Sequence, residues 1–101
     1  MSKLLHLSDF KPQLKKIFQV HRESAGIVKL TLVEVTGRDR EGIESFSLIF
    51  KGPKEPALPQ MTYKIKQTKL GEFRLFLVPV VSGEQNAVLY QAIINRRTGK
   101  K

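Results

Sequence analysis

At 101 residues the chain has room for one domain and one core. It contains no cysteine, which excludes disulfides and thiolate metal sites. Lysine and arginine number 18 against 9 carboxylates, a formal +9 with a pI near 10.1; this favours solubility and attraction to polyanions and is silent on fold.

The N-terminal MSKLLHLSDF reaches Ser8 and Asp9 after only a few apolar residues, unlike a signal peptide. The longest apolar run, Leu75 to Val81, is far short of the ~20 residues that cross a bilayer. No membrane partner is therefore expected, and the cytoplasm is the simplest compartment. Ser8 or Asp9 can cap a short helix that Pro12 confines to a turn or two, ending near Lys16.

Strands follow. Ile17–Glu23 sets Phe18 and Val20 on one side. In Ile27–Thr36 the apolar phase runs Val28, Leu30, Leu32 and then jumps to Val33 and Val35, which predicts a bulge or strong bend. Arg38 to Glu41 reads as a charged hairpin tip. Glu44–Lys51 turns Phe46, Leu48 and Phe50 inward, with Glu44 of the same parity at the strand start. The loop KGPKEPALPQ (51–60) holds three prolines and reads as stiff.

Leu58 to Val80 then carries the plainest alternation in the chain. Met61, Tyr63 and Ile65 point one way, and Thr62, Lys64 and Lys66 the other. After a turn at 69–72, Phe73, Leu75 and Leu77 resume the apolar side while Arg74 rejoins the lysines. Pro79 cannot donate to a ladder and belongs at an edge, bulge or strand end. Ala87–Asn95 closes the set with Val88, Tyr90, Ala92 and Ile94 inward. Six strands with glycine punctuation predict an all-β fold, a small antiparallel barrel or barrel-like sandwich with one short N-terminal helix. Residues 1–95 form the single β domain. The final RRTGKK takes four of the 18 cations, leaving 14 against 9, or +5, on the body, and reads as a disordered basic tail.

The blocks SDFKPQL, IFQV, LTLVEV, FSLIFKGP, LPQMTYKI, LGEFRLFLVPV and YQAIIN, spanning Ser8 to Asn95, resemble an uncharacterised family of small bacterial and phage-associated β domains. FSLIFKGP and the LPQMTYKI–LGEFRLFLVPV pair are its specific part. The resemblance implies a small β module of structural or accessory role beside phage-tail-like proteins, with no catalytic residues assigned and incorporation into such a particle as a second location. This chain departs from that pattern in being strongly basic.

No catalytic constellation emerges from the residues. His6 lies in a segment with no fixed geometry, and His21 is out of phase with Phe18 and Val20 and faces solvent. The carboxylates are dispersed, and the glycines lack the context of a phosphate loop. No cofactor, metal or small-molecule substrate is implied, so an enzyme is not expected. The leading expectation is a structural or protein-interaction module, with a protein partner or self-association through Phe76, Val78 and Ile93, apolar residues of outward phase. The alternative is a basic β-domain binding nucleic acid or another polyanion through Lys64, Lys66, Lys69 and Arg74, joined by Arg96 and Arg97 of the tail. Against it, the six phenylalanines and two tyrosines sit mostly at core phase, with only Phe76 as an outward ring for stacking.

Overall fold

The computed structural model describes residues 5–23, 26–55, 57–80, 83 and 86–97. A single helical turn, α1 (Leu7–Phe10), continues as a 3-10 turn over Lys11–Gln13. Six strands follow: β1 (Ile17–Arg22), β2 (Gly26–Arg40), β3 (Ile43–Pro53), β4 (Met61–Gln67), β5 (Gly71–Val80) and β6 (Ala87–Arg97). They close into an antiparallel barrel in the order β1-β2-β3-β6-β5-β4. The expected all-β barrel with one short N-terminal helix is thus present. Its last strand runs through Arg97, two residues past the expected boundary at Asn95, so Arg96 and Arg97 are strand residues and not tail. The rest of the expected tail, 98–101, lies outside the described residues.

The bulge predicted in β2 is present: its register with β3 shifts between Leu32 and Glu34, so Val33 is the extra residue. The phase jump that announced it keeps Leu32 and Val35 both on the core side. The chain leaving the 3-10 turn is tied to this spot, Lys15 N–H donating to Leu32 O (2.7 Å) and Leu32 N–H to Lys16 O (3.1 Å). Lys15 adopts φ 73° to make the reversal. At the β2–β3 tip, Glu41 and Gly42 both have positive φ (53° and 77°), the two-residue turn whose twist suits a hairpin.

The interior is filled by side chains of alternate residues from every strand. Phe18, Val20, Leu30, Leu32, Leu48, Phe50, Ile65 and Leu77 have no exposure at all. Both ends are closed. At one end Phe10, from α1, packs against Phe18, Phe46 and Phe73, with ring centroids 6.4, 5.7 and 5.7 Å away. Gln13 reinforces that contact by accepting from Gln67 Nε2 (2.8 Å), and Gln67 Oε1 in turn accepts the Lys69 and Leu70 N–H groups of the β4–β5 turn. At the other end Leu58 plugs the barrel. Its N–H donates to Tyr90 Oη (2.8 Å), while Tyr63 Oη donates to Pro59 O (2.6 Å). The proline-rich loop is therefore pinned by two buried tyrosines, and burial pushes the Tyr63 phenol up from its ordinary pKa, with Tyr90 adding to it.

The ladders are uneven. β2–β3 and β3–β6 carry long, nearly complete registers, whereas β1–β4 and β5–β6 are joined by three residue pairs each. Pro79 sits in the short β5–β6 seam opposite Tyr90, beyond the last β4 pair at Met61–Leu77. Its missing N–H therefore faces no partner strand, which is the strand-end position expected of it.

Candidate functional site

With the interior packed, the surfaces open to a partner are the outer wall and the barrel ends. On the wall, Lys64 and Lys66 project from β4, and their cross-strand neighbours on β5 are Arg74 and Glu72. β1 sets His21 beside Lys64 and Gln19 beside Lys66, and β2 brings Lys29 next to Gln19. Lys29, Lys64, Lys66 and Arg74 are exposed and share this face, with Lys69 exposed at its turn. Glu72 lies among them, 3.8 Å from Lys64 Nζ and 4.0 Å from Lys66 Nζ. Both contacts are in water and hold little energy. A depression of about 410 Å³ opens at the foot of this face, lined by Ile17, Gln19, Lys66, Gln67 and Glu72. His21 is only half-buried on the outer side, yet its Nε2 is covered and has no hydrogen-bond partner among the described residues.

The remaining two cations expected to join this group do not. Arg96 is of inward parity: its guanidinium lies 5.7 Å over the Phe46 ring and its Nε donates to Glu44 Oε1 (3.3 Å). Arg97 is outward and exposed, paired with Ile43 at the end of the β3–β6 ladder, and no register pair joins it to β5 or β4 among the described residues. The two arginines look alike in sequence because a tail has no parity, whereas a strand sends successive residues to opposite faces.

Phe76, Val78 and Ile93 do come together. Phe76 and Val78 are successive outward residues of β5, and Val78 faces Gln91 across the β5–β6 seam. Ile93 is the next outward residue on β6. Phe76 is 50% and Ile93 63% exposed, and Val78 is half-buried. Residues 5–13 pack at the barrel end and leave this face open. Of the aromatic side chains only Phe76 is exposed, as its phase required.

The feature that sequence reasoning missed is Glu44, 2% exposed at the end closed by α1. Its Oε1 accepts from His6 Nδ1 (3.0 Å) and Arg96 Nε (3.3 Å), and its Oε2 from Leu7 N–H (2.9 Å). His6 therefore has a fixed place. It is the N-cap of α1, a role expected of Ser8 or Asp9, and its own N–H is taken by Asp9 Oδ2 (2.8 Å). Burial by itself raises the Glu44 pKa, but the Leu7 N–H bond, the bond and charge of His6 and the charge of Arg96 outweigh it and hold the carboxyl below its ordinary value. The available signal was parity: Glu44 shares the inward phase of Phe46 and Leu48, and a carboxylate there must find donors. Among the described residues no three His, Cys, Asp or Glu side chains cluster as metal ligands, and no helix is long and apolar enough to cross a membrane.

Residues 5–94 match the model of a family described as a domain of unknown function, DUF6916, and the chain belongs to that family. No curated protein and no solved structure matches the chain.

Proposed function

We propose that this member of the family is a non-enzymatic structural or protein-interaction module, an accessory of a phage-tail-like assembly, cytoplasmic until it is incorporated. The observation that carries the reading is the exposed apolar set Phe76, Val78 and Ile93, gathered on both sides of the β5–β6 seam. Two large apolar side chains half or more in water on a rigid wall are what a partner's surface removes from solvent. The phage-tail setting rests on the sequence resemblance alone. The test is capture of partners from cells that make such particles, with the tagged full chain beside the double variant Phe76→Asp, Ile93→Asp. Both positions are exposed, so the substitutions leave the core packing untouched, and circular dichroism of the variant checks that it folds. A discrete partner retained by the native chain and lost by the variant supports the reading, and equal capture by both refutes it.

The row Arg74–Lys64–His21, flanked by Lys66 and Lys29, favours a second reading, binding of nucleic acid or another polyanion. Contacts of that kind are to phosphates and weaken steeply with salt. Lys64→Glu with Lys66→Glu should weaken binding of a fluorescent duplex for all sequences alike and flatten its salt dependence. Unchanged binding in that variant removes this face from consideration.

A further inference from the structure

We infer that the wall below the β5–β6 seam is a strand-addition site that takes an extended, acidic and apolar segment of a partner protein; this rests on the interaction reading above. The argument starts from the hairpin tip. A two-residue turn at Glu41 and Gly42 makes Arg40 and Ile43 a hydrogen-bonded pair, and the pattern alternates from there. On β3, Glu44, Phe46 and Leu48 therefore turn their N–H and C=O groups toward β6, where they meet Arg96, Ile94 and Ala92. The intervening β6 residues, Ile93, Asn95 and Arg97, turn theirs the other way. Gln91 and Leu89 share that phase, and they are the residues that meet Val78 and Val80 on β5.

Past Val78 and Gln91 no further residue pair joins the two strands. Among the described residues β6 continues to Arg97 with β3 as its only ladder partner, and β5 runs from Gly71 to Leu77 with β4 as its only one. On β5, Glu72, Arg74 and Phe76 share the phase of Val78, so their backbone groups also face the opening. Among the described residues no register pair joins Glu72, Arg74 or Phe76 to β6, or Ile93, Asn95 or Arg97 to β5, and all six residues are exposed. Behind the opening Phe10 bridges Phe73 and Phe46, so the floor is apolar and closed. Two unpaired strand edges over a finished core are a template for one more strand.

The side chains along the edges specify the occupant. Counting down from the seam, Phe76 and Ile93 stand at one level, Arg74 and Asn95 at the next. An incoming strand therefore presents an apolar residue at the first level and a carboxylate at the second, where Lys64 lies directly across from Arg74. A second copy of a +9 chain sets like charges together. Residues 1–4 and 98–101 carry lysines and no acidic side chain. Charge thus selects a different, acidic protein.

The test uses the full chain labelled with ¹⁵N. Native-state hydrogen exchange should find the amides of Glu72, Arg74, Phe76, Ile93, Asn95 and Arg97 fast, between slow neighbours at Phe73, Leu75, Ile94 and Arg96. A capped six-residue peptide follows as probe, with valine on one parity and one leucine and two glutamates on the other. The expected result is slowing of the edge amides by more than about tenfold at saturation, and no slowing by the same peptide with lysines for glutamates or with N-methylated backbone. Edge amides already slow in the free chain overturn the inference, as does their staying fast at millimolar acidic peptide. If they stay fast while Phe76→Asp, Ile93→Asp still abolishes partner capture, the wall docks by side chains alone, and the interaction reading survives without strand addition.

Discussion

Replacing Glu44 by glutamine keeps the shape of the side chain and removes its charge. The carboxylate offers two oxygens to three donors, Leu7 N–H, His6 Nδ1 and Arg96 Nε. The amide offers one oxygen, and its NH₂ must point at a donor. A hydrogen bond to a charged group contributes about 1.5–3 kcal/mol, and stranding a buried partner of an ion pair costs about 3–5 kcal/mol. His6 and Arg96 retain side-chain exposure of 42% and 23%, so solvent discounts their share. The expected loss at neutral pH is about 2–3 kcal/mol, a large part of the stability of a domain this size. The pH dependence identifies the cause. Because the folded pKa of Glu44 is lowered, its contribution is fully present above the ordinary value of 4.5 and is lost as pH falls through the lower folded value. Urea unfolding of native chain and Glu44→Gln from pH 7 to pH 3 should show a gap that closes on acidification. A gap of constant size would refute the argument, leaving the loss to packing and not to the carboxylate.

Gly37 and Gly71 should separate sharply. A Cβ on Gly37 would lie 2.2 Å from Phe46 Cβ and 2.5 Å from Ser45 O, so Gly37→Ala should destabilise by more than about 3 kcal/mol. Gly71 has φ +80° and open space around it, so Gly71→Ala should cost only about 1–2 kcal/mol of backbone strain; thermal unfolding of the two variants checks the contrast. Tyr90→Phe leaves the buried Leu58 N–H without its acceptor and should cost about 1–3 kcal/mol, read by urea unfolding. Limited proteolysis should then cut the 54–60 loop faster than in the native chain, and an unchanged rate would mean that the tyrosine does not pin the loop.

The barrel was legible because it is written in parity. Strand phases placed Phe18, Leu30, Phe46, Phe50, Ile65 and Tyr90 inside, and a single jump of phase located the bulge at Val33. The same parity put Phe76 and Ile93 outside, and Lys64, Lys66 and Arg74 on one wall. What parity cannot carry is which strands meet. The β3–β6 and β1–β4 ladders join residues tens of positions apart, and nothing local announces them. Arg96 was misread for that reason: only β6 running on beside β3 turns it inward to Glu44. His6 was misread as unplaced because its partner stands 38 residues away. The prolines of the 51–60 loop are plain in the sequence, but its anchor, the Leu58 N–H on a tyrosine hydroxyl, has no sequence signature.

The strand that closes the barrel is also the last one made. β6 meets β3 in eleven pairs whose members stand 34 to 54 residues apart, and β5 in three more. A nascent chain can form the β2–β3 and β4–β5 hairpins early, since each is local. Each then carries a naked apolar face, Phe46, Leu48 and Phe50 on one and Tyr63, Ile65, Phe73 and Leu75 on the other. No wall can shelter both until Ala87–Arg97 has left the ribosome. With its defining ladder so non-local, the domain belongs among the slow folders, on the millisecond-to-second scale. Until β6 docks, the outward lysines of β4 make edge-to-edge pairing of the exposed hairpin with a neighbour's less favourable.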